Sequence, residues 1–140
     1  MAANFKPIFT LTPNPGKTGV LVTVANTTRD LTAGTIYYLF TAGANGAYID
    51  RIVWQGTGAT AGPSVGRMWL TNATGPGVAT DVTLLGEISL PTQTISEVAA
   101  SPPLAWNAGF AIPATWRIYL TLGTVAAAGF YVTAPGSGDY

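Results

Sequence analysis

From residue 116 to residue 122 apolar and polar positions alternate without a break. Trp116, Ile118, Leu120 and Leu122 fall on one face, and Arg117, Tyr119 and Thr121 on the other. Period two is the mark of an extended strand with one buried face. Residues 123–129 read as a turn, after which Phe130, Val132 and Ala134 resume the alternation against Tyr131 and Thr133. The pattern predicts a hairpin over residues 115–133, its Trp–Ile–Leu–Leu face forming the floor of the core.

The rest of the chain follows the same rhythm. Residues 5–11 predict a short edge strand broken at Pro7, followed by a turn cluster over residues 12–16. Val20, Val22 and Val24 alternate in the next strand, and residues 35–41 predict another. Asn45-Gly46 suits a tight turn that needs positive φ. In residues 47–55 the alternation slips, so that stretch is either buried on both sides or bulged near Asp50. Residues 67–71 and 82–90 predict strands, with Leu84, Ile88 and Leu90 sharing a face, and the loop between them holds Gly75-Pro76-Gly77. Residues 92–100 read as a polar, half-exposed strand and residues 101–113 as a proline-rich connector. Eight or nine short strands with turn signals every 8–12 residues, and no amphipathic helix, predict an all-β sandwich or barrel. A jelly-roll-like β-sandwich of about eight antiparallel strands is the expected architecture. At 140 residues the chain makes one domain. Residues 1–16 are expected to form an N-terminal arm or edge strand, and residues 17–140 the sandwich.

Composition changes the picture in one respect. Hydrophobic residues make up 48% of the chain but charged residues only 9%, against roughly 25% in ordinary domains. With six basic and six acidic residues the net charge is zero. A surface with so little charge offers little electrostatic resistance to self-association, so much of it is expected to be covered in use. No basic face is available to displace counterions, which argues against a nucleic-acid partner. No apolar run approaches the ~20 residues of a membrane helix, so no membrane partner is expected. The first residues lack a basic segment followed by an apolar core, so no signal peptide is expected.

Candidate chemistry is sparse. The chain has no histidine and no cysteine. That removes serine–histidine and cysteine–histidine nucleophiles and the common zinc sites. The acids Asp30, Asp50, Asp81, Glu87, Glu97 and Asp139 sit in no recognisable motif, and solvated or structural roles suit each better than a paired-carboxylate hydrolase. Gly16-Lys17-Thr18 ends like a phosphate-binding loop, but Leu11 stands where that pattern needs glycine and a strand follows instead of a helix. No enzyme activity, cofactor or metal is expected. Of four tryptophans, Trp116 belongs to the core by its alternation. Trp54, Trp69 and Trp106 are candidates for an interface, for the core, or for stacking on a sugar ring.

Several stretches carry a resemblance. Ala-Asn-Thr-Thr-Arg-Asp at 25–30, Leu-Phe-Thr-Ala-Gly-Ala-Asn-Gly-Ala-Tyr-Ile-Asp-Arg-Ile at 39–52, Leu-Leu-Gly-Glu-Ile-Ser-Leu-Pro at 84–91, Thr-Ile-Ser at 94–96 and the closing Gly-Ser-Gly-Asp-Tyr are the residues concerned. Together with the closing hairpin, they resemble small virion proteins of tailed bacteriophages, and the likeness covers most of residues 25–140. The Leu-Pro-Ala-Gly-type turn common before the penultimate strand is replaced here by Ala111-Ile112-Pro113-Ala114-Thr115. The resemblance implies a jelly-roll capsid decoration (cement) protein on the outer surface of the virion, made in the host cytoplasm. It also implies a homotrimer whose partner is the major capsid protein. On that expectation Phe5, Ile8 and Phe9 belong to an arm, residues 1–11, reaching over a neighbouring subunit. The alternative expectation is a tail or head-fibre module recognising a host-surface glycan or protein through exposed aromatics.

Overall fold

The computed structural model describes residues 10–74 and 81–140. Its strands in chain order are β1 (Thr12–Pro13), β2 (Val20–Val22), β3 (Tyr37–Thr41), β4 (Ala47–Gly56), β5 (Thr60–Ala61) and β6 (Ser64–Thr71). These are followed by β7 (Val82–Leu90), β8 (Gln93–Thr94), β9 (Leu104–Ile112), β10 (Arg117–Leu122), β11 (Phe130–Thr133) and β12 (Gly138–Asp139). The chain is an all-β, antiparallel sandwich, as the strand spacing predicts.

One sheet runs β2-β11-β4-β9, with β1 and β12 continuing the ladder along one end of β4. The facing sheet runs β3-β10-β6-β7. A small ladder, β5 with β8, closes one flank. Among the described strands only β6 and β7 are both consecutive and paired, and the connections β2–β3, β3–β4, β9–β10 and β10–β11 cross from one sheet to the other. Val22, Phe40, Ile49, Ile52, Trp54, Met68, Ile118, Leu120, Leu122 and Phe130 interdigitate between the sheets in one core.

The slip in residues 47–55 is a bulge. Ile49 lies opposite Phe110 while Arg51 lies opposite Asn107, so Asp50 faces two residues, Ala108 and Gly109. Gly109 takes φ +68° to fit. Ala47 and Ile49 therefore point inward before the bulge, and Ile52 and Trp54 after it. Asn45-Gly46 forms the expected tight turn, with Gly46 at φ +91° and its N–H donating to the Gly43 carbonyl at 3.1 Å.

Four expectations are corrected. Residues 115–133 are not a hairpin: β10 pairs with β3 and β6, while β11 pairs with β2 and β4. Alternation tells which face a residue takes, not which strand lies beside it, and residues 123–129 carry the chain between sheets. The connector over residues 101–113 contains the nine-residue β9. Of residues 92–100 only β8 is a strand, and Ser96 bonds to Ala99 across a turn. Finally, Met68 pairs with Gly86 but Trp69 with Leu84, so the extra residue Leu85 packs on the core and Leu84 turns outward. Of the strand expected at residues 5–11, residues 10 and 11 are not in a strand and the rest lies outside the described residues, as do the arm residues Phe5, Ile8 and Phe9 and the Gly75-Pro76-Gly77 turn. Leu11, assigned to the arm, is tied to the sheet by its N–H to the Asp139 carbonyl at 2.8 Å, and β1 beside it pairs with β12.

Candidate interface surfaces

Two of the three tryptophan candidates are withdrawn from any partner. Trp54 is fully buried, edge-on to Phe130 with ring centroids 6.5 Å apart. It lies over Gly66, where a Cβ would sit 2.8 Å from its Cζ2. Trp69 is buried on the other side of the second sheet, its Nε1 donating to Thr121 Oγ1 at 2.9 Å. Trp106 is half-buried, packed on the core with its ring over Gly86 and against Phe110. The sequence left Trp54 open because the alternation of β4 slips at Asp50, and Trp69 because its burial comes from a strap over the outer face of its sheet, which alternation within a strand does not show.

Trp69 is covered because residues 25–36 fold back as a strap over the outer face of the β3-β10-β6-β7 sheet. Asn26, itself buried, holds the strap together: its Nδ2 donates to the carbonyls of Ala33 and Thr35, both at 3.0 Å, and its Oδ1 accepts from Thr28. Leu31 plugs into a second small core with Trp69 and Tyr119. It does so at φ +57°, a conformation unfavourable for a side chain with a Cβ. Two arginines fasten the strap to the sheet through Glu87. Arg67 Nε and Arg29 Nη2 both reach Glu87 Oε1 at 2.8 Å, and Arg67 Nη1 donates to the Asn26 carbonyl at 3.1 Å. These hydrogen bonds, from Arg67 first and then Arg29, hold the Glu87 carboxyl below its ordinary pKa.

Other acids are also taken up by local structure. Asp30 accepts from the N–H and hydroxyl of Thr32, which lowers its pKa. Asp139 Oδ1 accepts from the Gly43 N–H at 2.9 Å, and its Oδ2 from Asn14 Nδ2 at 3.0 Å. With Tyr140 N–H donating to the Gly46 carbonyl at 3.1 Å, the last two residues clasp the turn between β3 and β4. Among the described residues no group of three or more His, Cys, Asp or Glu side chains could hold a metal ion. Among the described residues no helix is long and apolar enough to cross a membrane.

The outer face of the β2-β11-β4-β9 sheet is different. Among the described residues no segment covers it. Leu21 pairs with Tyr131, and Tyr131 with Gln55; all three are exposed. Thr133, Val53 and Ala105 form the next row, and Arg51 and Asn107 the one after. The Arg51 guanidinium lies 3.7 Å from the Asp50 carboxylate, both about half-exposed. Sequence reasoning did not single out this face. The signal was the apolar Leu21 and aromatic Tyr131 at outward positions of otherwise alternating strands. Comparison of the chain with protein-family models, with curated proteins and with solved structures finds no match.

Proposed function

We propose that this chain is a capsid decoration protein of a tailed bacteriophage, bound to the outer head surface and bracing major capsid protein subunits. One observation carries the reading: stretches far apart in sequence that resemble such proteins meet as one structural unit. The turn within residues 39–52 is clasped by the terminal Gly-Ser-Gly-Asp-Tyr through Asp139 and Tyr140. The strand order supports it as well, because β2-β11-β4-β9 facing β3-β10-β6-β7 is the order of a jelly roll's two sheets. The carboxylates Glu87, Asp30 and Asp139 are engaged in holding loops and termini, as befits a structural protein.

The mechanism is linkage. A protein that binds the assembled shell and not its opened form raises the free energy of opening, increasingly as sites fill. With a charge-poor surface, that attachment loses little to desolvation of ions. The test is thermal: shells saturated with this protein should rupture at a higher temperature than undecorated shells, with the shift growing with occupancy. Equal rupture temperatures would refute the proposal, as would cryo-EM density for the chain confined to the tail.

A further inference from the structure

We infer that β9 takes an extended, uncharged segment of another protein as an added strand, on the side of the sandwich where β7 and β9 stack. The inference deepens the decoration reading and rests on it for the partner, a major capsid protein subunit. It starts from a difference between the two sides. On the side of β2 and β3 the chain seals itself. There the Lys17 N–H donates to the Leu39 carbonyl at 2.6 Å, and the Thr23 and Val24 N–H groups donate to Tyr37 Oη at 3.2 and 2.9 Å. Val20, Val22, Leu39 and Phe40 are buried on that side. On the other side Trp106 of β9 lies over Gly86 of β7, and Leu85, Ile88, Leu104, Trp106 and Phe110 stay only partly buried. The β5-β8 ladder sits beyond the end of β7, with Gly62 against the Leu90 carbonyl. Among the described residues no strand pairs with the outer edge of β7 or β9.

The backbone defines what fits. The Thr57 N–H goes to Gly129, beside β11, so Ile52 and Trp54, of opposite parity, bond toward β9 and their partners Trp106 and Leu104. Ala105 and Asn107 therefore turn their N–H and C=O groups to the free side. Such a row templates an extended strand. With the half-buried row of Leu104, Trp106 and Phe110 beside it, the added strand gains most from apolar residues at every second position. Lysine or proline commonly blunts a lone edge. Strand β9 has no charged residue and no proline, and the one charge of β7, Glu87, is tied to Arg67 and Arg29. An uncharged segment therefore meets no unpaired charge. A second copy of this chain fits less well. Both free edges are bulged, at Leu85 and Gly109, so two rigid sandwiches meet along a few residues only, whereas a lone segment bends with the edge.

Hydrogen exchange on the full chain, free and bound to undecorated shells, tests this. Binding should slow exchange at the Ala105 and Asn107 amides at least about tenfold, with the Leu104 and Trp106 amides, already bonded to β4, little changed. Ala105→Pro removes a free-edge N–H. It should raise the dissociation constant for shells at least about tenfold, with its circular dichroism spectrum retained. Should that variant fail to fold, the exchange pattern decides alone. Shell binding with unchanged exchange at Ala105 and Asn107 would overturn the inference and leave the decoration reading standing, as would full affinity in folded Ala105→Pro. A chain that does not bind shells would overturn both. Free protein that self-associates through this edge, and stops doing so with Ala105→Pro, would give the edge to a second copy and also overturn the inference.

Discussion

Gly66 and Gly86 fix where two large rings lie. Trp54 rests on the first and Trp106 on the second, each close enough that a Cβ would stand 2.7–2.8 Å from ring carbon. The sandwich therefore pairs its largest side chains with its smallest residues across the sheets, which keeps the layers close without leaving a void. Gly86→Ala should destabilise the fold by about 1–3 kcal/mol, because the indole must move off its packing position. Denaturant titration followed by tryptophan fluorescence would measure this, and the emission maximum should shift as Trp106 is displaced. Trp54 carries a cost of its own, since its Nε1 finds no acceptor among the described residues. An orphaned buried N–H costs about 1–3 kcal/mol, and burial of the ring outweighs it.

At the scale of elements, the strap is a separate piece of structure, bonded mainly within itself and pinned to the sheet by Leu31, Arg29 and Arg67. Glu87 is the common anchor, and its lowered pKa gives the anchor a pH dependence. A carboxyl with a depressed folded-state pKa contributes stability that is present above its unfolded value, about 4.3. That contribution is lost as pH falls through the folded value. The strap should hence stay closed at neutral pH and loosen in acid below about pH 4. Hydrogen exchange at residues 26–36 should report this loosening before the sheets open. Glu87→Gln should raise exchange there at pH 7 and reduce the acid dependence to the share that Asp30, bonded to Thr32 within the strap, supplies. How much was legible in the sequence also divides by element. The β9 bulge opposite Asp50 showed as a slipped alternation in β4, and the Asn45-Gly46 turn by its residue types. Strand β9 was hidden although Leu104, Trp106, Ala108, Phe110 and Ile112 alternate cleanly, because the flanking prolines and Gly109 look like connector signals. Strand pairing was not legible, since β10 and β11 follow each other yet belong to different sheets. The open face escaped notice for the same reason, because Leu21 and Tyr131 become neighbours only through pairing.

For the molecule as a whole, closure depends on a few residues at the C-terminal end. Asp139 and Tyr140 join β1, Asn14 and the β3–β4 turn through several hydrogen bonds. Each bond is worth roughly 0.5–1.5 kcal/mol net, so removing residues 138–140 should cost about 2–4 kcal/mol. Calorimetry would show the fall in melting temperature, and an unchanged melting temperature would mean the clasp is decorative. The pairing has a further effect during synthesis. Strands β1 and β2 can find their neighbours β12 and β11 only after almost the whole chain has left the ribosome. Until then valine-rich β2 must wait unpaired, and β4 with only β9 beside it, on a nascent chain that is only 9% charged. Such long-range pairing folds slowly and leaves edges exposed. Yield on expression should therefore be limited by how quickly each chain is released and closed, with slower elongation or crowded polysomes sending more of it to aggregates.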